Sequence, residues 1–191
     1  MNIDCNAEEM LMAPARFLWL IAASLVPAIA PAFAPAFAST ADMPAPPACP
    51  APVAPAGAYA PWAQPAPLAA GQAADGAPLL KPGSAARLSL APTPQVRYAL
   101  RPEKPGGSVS YGGLVALEVA SAGTYRIALG SAAWLDVIGK GGALPSIAHG
   151  HGPDCTGIRK LVDFTLEPGR YLLQISANGT PALTVMALAL P

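Results

Sequence analysis

The stretch His149-Gly150-His151-Gly152-Pro153-Asp154-Cys155 holds both histidines of the chain, one acid and one thiol. In extended backbone, His149 and His151 point to the same face. Two imidazoles on one face begin a Zn or Cu site, and Cys155 or Asp154 would add a soft or a hard ligand. A metal site is therefore one expectation. The same residues have a plainer use. Gly150, Gly152 and Pro153 make a loop with unusual backbone angles, where imidazoles bond nearby carbonyls. Cys155 is also the natural partner of Cys49. That disulfide would close a loop of about 100 residues and stabilise by ~4–5 kcal/mol in the chain-entropy model. A sulfur in a disulfide is not a metal ligand, so the two uses of Cys155 compete.

Other chemistry is thinner. Arg159 and Lys160 follow the cluster and, with Trp134, are candidate contacts for a carboxylate or glycan; a solvated strand end is the simpler reading of the two cations. Ser108, Ser110 and Ser146 lack the G-x-S-x-G elbow of a hydrolase nucleophile. Asp136 reads as a hydrogen-bonded strand carboxylate, and Asp163 and Glu167 as polar-face residues. Pro105-Gly106-Gly107 lacks the Lys and the helix of a phosphate cradle. Asn178-Gly179-Thr180 fits a glycosylation sequon, but reads first as a hairpin turn.

The elements that must position these residues are short strands. From about Leu79 onward, apolar alternations recur between Gly, Pro and Asn punctuation. They cover 86–90, 95–100, 114–119, 124–129, 133–138, 160–166, 170–176 and 182–190. Lys140-Gly141-Gly142 marks a turn. In 171–175 the face of Tyr171, Leu173 and Ile175 is expected to be buried. Period-2 patterning with frequent turns predicts an all-β fold, an antiparallel β-sandwich, over residues 77–191. Residues 39–76 form an Ala/Pro-rich arm, which disfavours a helix or a central strand. Tyr59, Trp62 and Leu68 are apolar anchors that a plain spacer does not need. Part of the arm is expected to lie along the domain, tied down by Cys49.

Residues 1–38 read as a cleaved secretory signal. Arg16 precedes the apolar run Phe17 to Val26, and small-x-small triplets follow. The run falls short of the ~20 apolar residues of a spanning helix, so no membrane span is expected after cleavage. Pro31 and Pro35 follow two of the triplets, whereas Ser39 follows Ala36-Phe37-Ala38. Cleavage is placed between Ala38 and Ser39, and translation start at Met10 or Met12 is an alternative. Removing 38 of the 191 residues leaves 153, one domain's worth, and discards Cys5. Cys49 and Cys155 remain as a pair in a compartment that permits disulfides, periplasmic or extracellular. Formal net charge is zero, and without a basic patch nucleic-acid binding is excluded.

Two strand pairs carry a resemblance. Residues 122–129 with 133–137, and Leu166-Glu167-Pro168-Gly169-Arg170-Tyr171 running on to Ile175, resemble bacterial pre-peptidase C-terminal domains. The resemblance implies a jelly-roll-like sandwich of the kind appended to secreted enzymes. RPEKPGGSVSYGGL, AHGHGPDCTGIRK and LEPGRYLLQI are similar to a family of small exported bacterial proteins. Automated labels give that family the name homogentisate 1,2-dioxygenase. The name implies non-haem Fe held by two His and a carboxylate, and His149 and His151 are the only histidines available to it. The residues themselves contain no complete catalytic set. The expected function is a non-catalytic binding or structural module for a glycan, peptide or envelope partner. The alternative is a metalloprotein or homogentisate-type dioxygenase built on His149, His151, Asp154 and Cys155.

Overall fold

The computed structural model describes residues 49–191. The expected signal, Cys5 and the Ala38–Ser39 cleavage point lie outside the described residues. The described residues contain twelve strands: β1 (Ala66–Ala69), β2 (Leu79–Leu80), β3 (Ala85–Ser89), β4 (Ala91–Pro92), β5 (Tyr111–Val119), β6 (Gly123–Leu129), β7 (Trp134–Gly139), β8 (Gly142–Leu144), β9 (Ala148–Gly150), β10 (Lys160–Leu166), β11 (Gly169–Asn178) and β12 (Ala182–Ala189). Three 3₁₀ helices span Gly57–Ala63, Ala74–Gly76 and Thr93–Gln95. The first lies within the Ala/Pro-rich arm, where no helix is expected, and its Trp62 is buried against the sheet. No helix among the described residues is long and apolar enough to cross a membrane.

The strands form two sheets, ordered β1-β3-β12-β6-β10-β9 and β2-β5-β11-β7-β8, with β4 also on β5. The eight principal strands pair first with last along the chain. β3 pairs β12, β5 pairs β11, β6 pairs β10 and β7 pairs β8, all antiparallel. A long hairpin folded over on itself in this way is a jelly roll. The two-residue turn Lys140-Gly141 is its tip. Two edge pairings are parallel, β1 on β3 and β2 on β5. Parallel neighbours need a long crossover, and residues 70–84 and 81–110 provide one each.

Between the sheets lies the main core. Leu88, Ile127, Leu129, Leu166 and Val185 from one sheet meet Val115, Leu117, Val137, Leu173 and Ile175 from the other. Leu173 and Ile175 are fully buried and Tyr171 packs at the margin, as its alternation predicts. Both outer faces are also covered. Trp62 of the arm packs on Ala85, Ala128, Leu161, Met186 and Leu188, with Tyr59 beside it. Val96 and Ala77 pack on Leu114 and Ala116 of β5. Strands buried on both faces read as near-continuous apolar runs, which is the texture of residues 182–190.

Gln95–Leu100 departs from expectation. Its alternation predicts a strand, but the segment is a loop following the Thr93–Gln95 turn. The buried Gln174 amide replaces a ladder. Its Oε1 accepts from the backbone N–H of Ala99 (2.9 Å) and Leu100 (3.3 Å), and its Nε2 donates to the Leu100 carbonyl (2.9 Å). Asp163 is likewise no free polar-face residue. It is buried, and both its oxygens accept from Arg126 at 2.7 Å. The arm's Tyr59 hydroxyl sits 3.3 Å from the same guanidinium. Bonding to Asp163, then to Tyr59, raises the Arg126 pKa further despite burial.

Cys49 and Cys155 form a disulfide, with Cα atoms 5.4 Å apart. The Val53 N–H donates to the Cys155 carbonyl (2.8 Å), and Gly71 exchanges two 2.9 Å backbone bonds with Leu114. The arm from Cys49 onward is thus part of the folded unit, and contributes an edge strand, a buried Trp and a disulfide to it.

Candidate functional site

The jelly-roll tip determines where the fold opens. β8 ends at Leu144, and Pro145, which lacks an N–H, follows it. The chain then crosses to the other sheet, where the Ile147 N–H donates to the Asp163 carbonyl (2.8 Å) and β9 pairs β10. β8 reaches only Val137 of β7. The first half of β7, Trp134 to Asp136, therefore has no partner on that edge, and the sheets part there.

A cleft of about 650 Å³ occupies the gap. Its floor is apolar, made by Leu135, Leu144, Val162 and Phe164. Its rim is polar: Glu103, Trp134, Asp136, Ser146, His149 and Lys160. The rim is held by a connected set of bonds. The Trp134 Nε1–H donates to Asp136 Oδ1 (2.8 Å), and Gln174 Nε2 donates to Asp136 Oδ2 (3.1 Å). The same Gln174 fastens residues 99–100, and the Ser176 hydroxyl donates to the Lys104 carbonyl (2.8 Å). That loop carries Glu103 and Lys104 to the indole.

Two ammonium groups flank Trp134. Lys104 Nζ lies 5.0 Å and Lys160 Nζ 5.4 Å from the ring centroid, within cation–π range. Lys160 Nζ also donates to the Ala133 carbonyl (3.0 Å). Burial, followed by repulsion from Lys104, lowers the Lys160 pKa, and attraction to Asp136 opposes this.

The expected metal set is not assembled. Cys155 is bonded to Cys49 and offers no thiolate. His149 sits on β9 opposite Val162 and lines the cleft. His151 is exposed, with Nδ1 3.1 Å from the Arg159 carbonyl. Asp154 is exposed in the depression that His151, Cys155 and Arg159 line. Both histidines border a smaller hollow, but it contains the Arg126–Asp163 pair, whose cation opposes a metal. Among the described residues no three His, Cys, Asp or Glu side chains come together as a metal set. A two-His, one-carboxylate iron site does not fit these positions.

Of the three candidate ligand contacts, Trp134 and Lys160 share the cleft and Arg159 lies outside it. Glu103, Lys104 and Gln174 escape a sequence reading, because the loop that brings the first two is placed by long-range bonds. The Trp134-Leu135-Asp136 alternation is the one local signal. The sequon residue Asn178 is 1% exposed. Its Oδ1 accepts from the Ser131 hydroxyl (2.6 Å) and its Nδ2 donates to the Thr180 carbonyl (2.6 Å), so its amide is closed to a glycan in the folded chain.

Fold and site together define a jelly-roll β-sandwich with a ligand-sized cleft at the edge of its tip. No family model matches the chain, and a search of curated proteins finds no significant relative.

Proposed function

We propose that this chain is an exported, non-catalytic binding module and that the cleft beside Trp134 is its binding site. One observation carries the reading. A partly exposed indole is locked by Asp136 and Gln174 at the mouth of an apolar-floored cleft of about 650 Å³. Rigid aromatic rims over apolar floors with a few fixed polar groups are the usual form of a ligand site. Export is supported by the signal-like residues 17–38 and by a disulfide, which persists in oxidising compartments. A glycan, peptide or envelope partner is the proposed class of ligand.

The test is a binding screen of the purified chain against glycan and peptide arrays. Hits should be lost in Trp134→Ala and kept in Arg159→Ala. Substrate turnover abolished by His149→Ala would replace the binding reading with a catalytic one.

A further inference from the structure

The cleft pairs an apolar floor with a cation that has no carboxylate in ion-pair contact among the described residues. The ion pairs among the described residues are Arg126–Asp163 and Arg170–Glu118. Lys160 is in neither, although it is half-buried. Groups with buried charge are normally paired, because desolvation penalises an isolated ion. Asp136 attracts Lys160, but no Asp136 oxygen comes within the 4.0 Å of an ion pair, and the carboxylate is turned to Trp134 and Gln174 instead. Repulsion from Lys104 opposes that attraction. Glu103 is exposed on the rim, where solvent screens it. An ammonium has three donors, and the Ala133 carbonyl takes one of those on Lys160.

Resting on the reading of this cleft as the binding site, we infer that its ligand is an amphipathic monocarboxylate. The carboxylate meets the Lys160 ammonium, and the apolar body lies over Leu144, Val162 and Phe164. Charge-assisted bonds of this kind are the strong ones in a partly dehydrated site. A single negative charge suits the cleft better than a dianion, because Asp136 and Glu103 also face it. The shared chemistry has two sources, a free organic acid or the C-terminus of a peptide with an apolar last residue.

The experiment uses the full chain and two readouts: calorimetry, and the NMR signal of the Trp134 indole N–H, assigned with Trp134→Phe. The probes are hexanoate, hexanamide, N-acetyl-alanyl-leucine and its C-terminal amide. Hexanoate should shift the Trp134 signal, and hexanamide should bind at least about tenfold more weakly. Lys160→Met should lose about tenfold or more for hexanoate, and Lys160→Arg should restore most of it. A thermal melt of both variants separates lost binding from lost folding. Tighter binding of the dipeptide acid than of hexanoate assigns a chain terminus; the reverse assigns a free acid. Equal binding of hexanoate and hexanamide, or unchanged binding by a folded Lys160→Met, overturns the inference. If neutral saccharides shift Trp134 and no carboxylate does, the site stands and the ligand class falls. If no probe or array ligand shifts it, both readings fall.

Discussion

Reducing the Cys49–Cys155 bridge tests how the arm is held. The two cysteines are 106 positions apart. In the chain-entropy model a loop of that size removes about 16 cal/mol/K from the unfolded state, or ~4.8 kcal/mol at 25 °C. For a unit of this size each kcal/mol moves the melting midpoint by roughly 2–4 °C. The reduced protein, or Cys49→Ser with Cys155→Ser, should therefore melt about 10–19 °C lower by calorimetry. The bridge also fastens the arm locally, next to the Val53–Cys155 backbone bond. The double variant should be cut by a protease between residues 49 and 56 while Trp62 stays buried. A midpoint within about 2 °C of the oxidised protein would refute the entropic account. If proteolysis still increased, the bridge would be a local fastener only. If neither changed, Trp62 and β1 would hold the arm without it.

Other perturbations follow from single contacts. Trp62→Ala removes the arm's main anchor on Ala128, Met186 and Leu188, and should cost about 3–5 kcal/mol in denaturant unfolding. A Cβ at Gly112 would overlap the Tyr98 hydroxyl and lie 2.6 Å from the Ile175 carbonyl; Gly112→Ala should destabilise by about 1–3 kcal/mol, read from the urea midpoint. Arg126→Met leaves the Asp163 carboxylate buried without its partner. Because Arg126 is itself 30% exposed, the cost should be about 2 kcal/mol rather than the full buried-pair value. Lys160 gives a pH signature. Its folded pKa lies below the ordinary 10.5, so near the alkaline end the unfolded chain binds more protons than the folded one. Stability should rise with pH from the folded pKa up to 10.5, and Lys160→Met should flatten that rise in unfolding curves across the same window.

Much of the fold is legible in the chain. Alternation locates β3, β5–β7 and β10–β12, because a strand with one face on a core must repeat every second residue. Cysteine parity points to the Cys49–Cys155 pair. Residues 95–100 alternate like a strand, yet alternation records only which side is buried. Val96 is buried against Ala77, Leu114 and Ala116, and Gln174 rather than a strand satisfies the following backbone. The His-Gly-His spacing misleads for a related reason. It brings both histidines to one hollow, but the partners there are decided at long range: Cys155 is bonded to Cys49, and the hollow holds the Arg126–Asp163 pair.

By itself, the sequence determined what short-range physics can carry: an all-β texture, turns at Gly and Pro, and an arm too rich in proline for an α-helix. The tertiary structure decided everything that depends on partners far along the chain. It sets the jelly-roll pairing of first strand with last, and lays the arm over an outer face. It also gathers Glu103, Trp134, Asp136, His149 and Lys160 around one cleft. Those residues span more than fifty positions, and no local rule relates them. They meet because β8 is too short to cover β7, and because one buried glutamine, Gln174, fastens the loop that completes the rim.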